Sequence, residues 1–176
     1  LRMHVDMCRA RIWDETKRLV KNILDIGIDI YSPWQNVEGV QVDTLDLPGA
    51  GPATVRGDLT SYVPVADGRY DLVFCTEVIE HCSKPWKVPE TLWKLVRHGG
   101  YVLVTAPFNF RLHGPQPDGY RFSPEGIRAM FKPWFHEVLF IQILGTPHSH
   151  LSPTHIAVAF KKEPADLNCC PLIPWA

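Results

Sequence analysis

Tyr70-Asp71-Leu72-Val73-Phe74-Cys75-Thr76-Glu77-Val78-Ile79-Glu80-His81 is the stretch on which the fold turns. Four apolar residues, Leu72 to Cys75, follow one acid and run straight into a polar cluster. Short apolar runs bounded in this way are buried strands of a parallel sheet. In an open α/β sheet ligands sit just beyond the carboxyl ends of the strands, so Thr76, Glu77, Glu80 and His81 stand where such folds do their chemistry.

Working outward, the segment Asn22-Ile23-Leu24-Asp25-Ile26-Gly27 reads as a first strand, and residues 40–45 as a second that ends at Asp46. A third, weaker strand covers 53–56 and leads into Gly57-Asp58-Leu59, the Tyr70–His81 stretch holds the fourth, and Tyr101-Val102-Leu103-Val104-Thr105 is the fifth. Val5, Cys8, Ile12, Leu19 and Val20 recur at near-helical spacing and predict a helix over 5–21. A second helix is expected after Ser83 as cap, opened by Pro85 or Pro89, running to about Arg97 and stopped by Gly99. Ser123-Pro124-Glu125 marks a third helix start, with Ile127, Met130 and Phe131 facing inward. Residues 137–144 and 155–160 complete the pattern as an antiparallel strand pair. Only about a dozen residues separate the first two strands, and Pro33 lies among them, so that crossover must be short or irregular. The expected fold is therefore α/β: a doubly wound, mostly parallel sheet with an antiparallel final pair, in a three-layer sandwich. Residues 1–163 form one domain and 164–176 a Pro- and Cys-containing tail.

Composition agrees with a globular chain of 176 residues, 45% hydrophobic and 21% charged, enough to bury about 70% of its unfolded surface. No apolar run reaches the ~20 residues of a membrane span and no signal-peptide profile opens the chain, so a cytoplasmic location is expected. The chain opens on Leu1, so further sequence upstream is expected too. A net charge of −1 argues against a nucleic-acid backbone as partner, and a homo-oligomer is compatible with the sequence. Five cysteines, one of them inside the fourth strand, read as reduced thiols. Cys75, His81 and Cys82 lack a second ligand pair at zinc spacing, and His148, His150 and His155 lack a local carboxylate. No metal is expected.

Asp25, Asp46 and Asp58 fall at the ends of successive strands, and right-handed crossovers bring those ends to one edge. A carboxylate after the second strand suits the two hydroxyls of a ribose. One after the third suits an adenine amine, with Leu59 covering the base. Together the three acids point to a nucleoside.

Leu24-Asp25-Ile26-Gly27, Thr44-Leu45-Asp46, Gly57-Asp58-Leu59, Tyr70-Asp71-Leu72-Val73 and Glu77-Val78-Ile79-Glu80-His81 resemble, in order, the motifs of class I S-adenosylmethionine-dependent methyltransferases. His98-Gly99-Gly100-Tyr101 is similar to that family's proline-glycine-glycine turn before the fifth strand, with His98 in place of proline. The resemblance covers about residues 22 to 131. It implies S-adenosyl-L-methionine as cofactor, with Asp25 among the residues that bind it, Gly27 beside its methionine part, Asp46 at the ribose, Asp58 and Leu59 at the adenine, and Glu77 near the sulfonium. The family's first loop carries further glycines, whereas Gly27 is followed by Ile28-Asp29-Ile30-Tyr31-Ser32-Pro33. The residues Pro107 to Phe122, rich in proline and aromatics, resemble the substrate-side segment of methyltransferases from bacterial biosynthetic and glycan-associated families. A histidine there can serve as general base toward a hydroxyl or amine, which makes His113 the catalytic candidate. Asp118 and Arg121 are expected to hold the loop's shape as a pair.

The expected function is methyl transfer from S-adenosylmethionine to an oxygen or nitrogen of a small-molecule or sugar acceptor. The alternative is a catalytically silent, methyltransferase-like binding or scaffold protein, suggested by the bulky Ile28. A nicotinamide enzyme fits less well, because no G-x-G-x-x-G follows the first strand.

Overall fold

The computed structural model describes residues 2–27, 34, 36–50, 52–115, 117–144 and 154–163. The loop from Ile28 to Pro33, His148, His150 and the tail 164–176 lie outside the described residues.

Seven strands form one sheet: β1 (Asn22–Ile26), β2 (Gln41–Asp46), β3 (Val55–Arg56), β4 (Tyr70–Thr76), β5 (Val96–Asn109), β6 (Glu137–Leu144) and β7 (Thr154–Lys161). Their order is β3-β2-β1-β4-β5-β7-β6. The first five run parallel and β7 pairs antiparallel with both β5 and β6. That is the doubly wound sheet with an antiparallel final pair.

Alternation along the strands splits the core in two. Val73, Cys75, Val102, Val104, Val158 and Phe160 face helices α2 (Val88–Leu95) and α3 (Pro124–Phe131). Leu72, Phe74, Leu103, Ala157 and Ala159 face helix α1 (Arg2–Thr16), which contributes Val5, Cys8 and Ile12. These are the three layers. β4 is buried along its whole length, as expected of a strand covered on both faces. Among the described residues no helix joins β1 to β2, and none is long and apolar enough to cross a membrane.

Several local expectations need correction. α1 ends at Thr16, whose hydroxyl turns back to donate to the Ile12 carbonyl at 2.7 Å, and Leu19 is exposed. Ser83 caps nothing: Pro85 starts a 3₁₀ turn, Pro85–Lys87, and α2 proper begins at Val88 with Pro89 among its amide-free first positions. Gly99 does not stop α2, which ends when Val96 turns extended. Tyr70 pairs with Val96 and Leu72 with Tyr101, so Arg97–Gly100 bulges out of β5. Gly99 supplies the positive φ of that bulge, +74°. The third strand shortens to Val55–Arg56. Trp34, Trp93 and Trp134 pack against the core, whereas Trp86 is exposed. Ser123 does cap α3, accepting from the Gly126 amide at 3.0 Å.

Candidate functional site

Strand register brings the acidic strand ends together. Ile26 pairs with Leu45 and with Cys75, and Asp46 with Arg56. Gly27, Asp46 and Thr76-Glu77 thus leave the sheet at one level along its carboxyl edge, with neighbouring strands about 4.8 Å apart.

The four acids have different surroundings. Asp46 is partly exposed, and its Oδ1 accepts from the Leu47 amide at 2.7 Å. Asp58 closes a turn, its Oδ1 accepting from the Thr60 amide at 2.7 Å and the Thr60 hydroxyl at 2.8 Å. Burial alone would raise its pKa, but the bonds from Thr60 and Ser61 prevail and hold it below the usual carboxylate range. Leu59 beside it is buried, and its carbonyl accepts from Thr91 at 2.8 Å. Asp25 is fully buried: Arg9 donates to its Oδ1 at 2.7 Å and to Thr76 Oγ1 at the same distance. The Arg9 guanidinium thus ties the ends of β1 and β4 to α1.

Glu77 has φ +57°, the one non-glycine in the left-handed region among the described residues. Its amide reaches both the carbonyl and the hydroxyl of Thr105, at 3.0 and 3.1 Å. Its carboxylate Oε2 lies 2.7 Å from Nδ1 of the buried His155. Non-glycine residues held in this region concentrate at functional sites. Gly27 approaches the same turn closely. A Cβ there would lie 2.3 Å from Val78 Cγ2 and 2.7 Å from the Thr76 carbonyl, and φ is +81°. Only glycine allows that contact.

The 3₁₀ turn Ile79–His81 places Glu80 under the loop that follows β5. Glu80 is fully buried, with neither carboxylate oxygen hydrogen-bonded. Burial, reinforced by the Glu77 charge, pushes its pKa up to about 8. The loop is pinned to this turn: Gly119 donates to the Glu80 carbonyl at 3.0 Å, and His81 Nδ1 meets the Pro117 carbonyl at 2.8 Å. Asp118 and Arg121 form the expected pair, bonded twice, at 2.5 and 2.8 Å. Arg121 also donates to the carbonyls of Phe110 and Arg111. The Arg121 bonds hold the Asp118 carboxyl far below its ordinary range. His113 turns Nδ1 toward Asp118 Oδ2 at 3.0 Å and Nε2 toward Glu80 Oε1 at 3.8 Å. Phe110 packs against both His113 and His155.

The structure thus gathers Gly27, Asp46, Asp58, Leu59 and Glu77 along one edge and sets His113 near Glu80 beside it. Asp25 lies inside the protein beneath that edge. Sequence reasoning missed Arg9, Thr105 and His155 as partners of Asp25 and Glu77. Nothing local signals contacts across 16, 28 or 78 residues. Glu80 stood in the opening motif, but its burial could not be read from it. Among the described residues Cys8, Cys75 and Cys82 are free thiols. Cys75 is enclosed in β4, and burial raises its pKa well above the ordinary thiol value.

A nucleoside-bearing cofactor fits this edge. Asp46 stands partly open at the end of β2, Leu59 offers an apolar wall, and Glu77 is held in a costly conformation at the end of β4. The family model "Methyltransferase domain" matches residues 16–104. An uncharacterized methyltransferase of Mycolicibacterium gilvum is 31% identical over 114 residues, 57% of this chain and 44% of that protein. The ubiquinone biosynthesis O-methyltransferase of Pectobacterium carotovorum is 29% identical over 89 residues, 49% of this chain and 37% of that protein. The chain therefore spans less than half the length of these curated relatives. Among solved structures, phosphoethanolamine N-methyltransferase 2 of Haemonchus contortus, in complex with phosphomonomethylethanolamine and S-adenosylhomocysteine, superposes with a TM-score of 0.65. That match covers 88% of this chain and 53% of the other at 14% identity, a likeness of fold. With matched motifs and sheet order in agreement, the chain belongs to the methyltransferase-domain family of class I, S-adenosylmethionine-dependent enzymes.

Proposed function

We propose that this domain transfers the methyl group of S-adenosylmethionine to an oxygen or nitrogen of a small-molecule or sugar acceptor. The observation that carries the reading is Glu77: a carboxylate locked in left-handed backbone at the end of β4, on the same edge as Asp46. When bound, the cofactor supplies an electrophilic methyl group. Asp46 is assigned to the ribose hydroxyls, Asp58 and Leu59 to the adenine, Gly27 to the methionine side and Glu77 to the sulfonium end. Asp25 acts from below, fixing the ends of β1 and β4 through Arg9. The 107–122 loop is assigned to the acceptor. Its polar cluster of Glu80 and His113 is where the proton released by the acceptor would go, with Asp118 orienting His113. Transfer of this kind asks mainly for alignment of donor and acceptor, so few side chains need take part in the chemistry. Support for an oxygen or nitrogen acceptor comes from similarity to an O-methyltransferase in sequence and to an N-methyltransferase in fold.

Calorimetry with S-adenosylmethionine and S-adenosylhomocysteine tests the reading. Binding is expected for both. Asp46→Ala should weaken it about tenfold or more, the worth of a charged hydrogen bond. No heat of binding at about millimolar ligand would leave the silent-scaffold alternative in its place. An affinity untouched by Asp46→Ala would show that the ribose lies elsewhere.

A further inference from the structure

His155 is the second residue of β7, paired with Pro107 of β5 on one side and Leu144 of β6 on the other. The carboxylate it lacks in its own stretch of sequence arrives from the end of β4. Its side chain is 1% exposed, and Nδ1 lies 2.7 Å from Oε2 of Glu77, whose side chain is 22% exposed. At that distance a proton has to lie between the two atoms, because a ring lone pair facing a carboxylate would be repelled. The alignment falls short of a hydrogen bond, so both Glu77 oxygens keep acceptor capacity. His155 Nε2 is enclosed without a hydrogen-bond partner. A proton there would be a buried donor with no acceptor, so the ring carries its proton on Nδ1. Phe110 covers the ring, with centroids 4.8 Å apart, and its carbonyl accepts from Arg121 at 3.0 Å. The Glu77 amide meanwhile is bonded to Thr105, which pairs with Thr76 of β4 and Ala157 of β7. Glu77 is thus fixed at both ends: β5 holds its backbone and β7 its side chain.

We propose, on the methyl-transfer reading above, that His155 is a positioning residue that keeps the Glu77 carboxylate charged and turned toward the sulfonium end of the cofactor. A ring with its one proton on Nδ1 steadies the carboxylate without cancelling its charge. Without that donor, an enclosed carboxylate beside a second acid is driven to take up a proton or to turn away. The second acid is Glu80, whose raised pKa already reflects the Glu77 charge as well as burial. S-adenosylmethionine carries a sulfonium cation where S-adenosylhomocysteine has a neutral thioether. The Glu77 charge therefore discriminates between the two ligands, while contacts to the ribose and adenine are common to both and cancel in the comparison. His155 acts on that difference through Glu77.

Calorimetry on the full chain with both ligands, at one pH, gives the ratio of their dissociation constants. His155→Leu removes the donor, and His155→Gln moves an amide to the place of Nε2. Each should shift the ratio against S-adenosylmethionine by at least about fivefold. His155→Asn keeps an N–H at the place of Nδ1 and should hold the ratio within about twofold of the parent. Glu77→Gln should shift the ratio as His155→Leu does, and adding His155→Leu to it should shift it no further. His136→Leu, on the surface, should leave both affinities unchanged. The glutamine and asparagine variants keep the comparison decisive if the leucine variant does not fold. Equal weakening of both ligands in the leucine and glutamine variants would reduce His155 to packing and overturn its role. An asparagine variant that behaves like the glutamine one would overturn it too. A parent that binds neither ligand would sink the methyl-transfer reading, and the role of His155 with it. A ratio unmoved by every His155 variant, with both ligands bound, would sink that role alone.

Discussion

At the scale of single residues, the strand-end acids were legible and their separate roles were not. Spacing marks Asp25, Asp46, Asp58 and Glu77 as ends of strands, because an apolar run has to stop somewhere and stops on a charge. It says nothing of which acid is buried against Arg9, which closes a turn on Thr60, and which is left strained. Glu77 carries the sharpest consequence. Its φ of +57° is held by the Thr105 bonds to its amide. Ala disfavours that backbone by about 1–2 kcal/mol, whereas glycine adopts it freely. Glu77→Gly and Glu77→Ala both lose the carboxylate and its contact with His155, so comparing the two isolates the backbone. In urea denaturation the glycine variant should be the more stable by about 1 kcal/mol, reversing the usual order of these residues within regular structure. An alanine variant equal or superior in stability would show that Glu77 is not held left-handed in solution.

Elements were easier to read than their junctions. β1, β2, β4 and β5 announce themselves as apolar runs, and the β6–β7 pair as two more after the last helix. The joins failed where one residue serves two purposes. Gly99 suits a helix stop by composition, yet the chain uses its positive φ to bulge β5 outward. Arg97 in that bulge reaches Asp71 on β4, whose Oδ2 also accepts from the Lys21 and Asn22 amides at 2.8 and 2.7 Å. One carboxylate thus fastens three strands at their amino ends. Burial would raise its pKa, but the Arg97 bond and the two amides outweigh burial and hold it below the ordinary value. A depressed folded pKa gives stability that is fully present above the unfolded value of about 3.9 and is lost as pH falls through the folded one. The stability gap between the parent and Asp71→Asn should therefore be flat from about pH 7 to 5 and narrow below about pH 4. Denaturation curves at several pH values measure it. A gap that stays constant into strong acid would mean that shape, and not charge, does the fastening.

At the scale of the molecule, the two faces of the sheet are held in different ways. On one side Phe131 stacks on Phe160 with centroids 4.7 Å apart, beside Phe135, beneath two amphipathic helices. On the other, α1 carries no acid in its first turn and no base in its last to complement its dipole, so its stability comes from docking. Val5, Cys8 and Ile12 supply the apolar part of that docking, and Arg9 drives a charge through the layer to Asp25 and Thr76. The pair is worth little against an apolar replacement, because both ions had to leave water; breaking it by halves is costly. Arg9→Met should cost about 3–5 kcal/mol in denaturant, by leaving the Asp25 carboxylate enclosed without its cation. Arg9→Met combined with Asp25→Leu removes both charges and should recover much of that loss, giving a double variant more stable than Arg9→Met alone. A double variant no more stable than that single one would show that Asp25 matters through contacts other than Arg9. If the recovery is seen, the pair gives little net stability and its value lies in position. It sets the ends of β1 and β4 against each other directly below Gly27 and Glu77, where the cofactor is assigned.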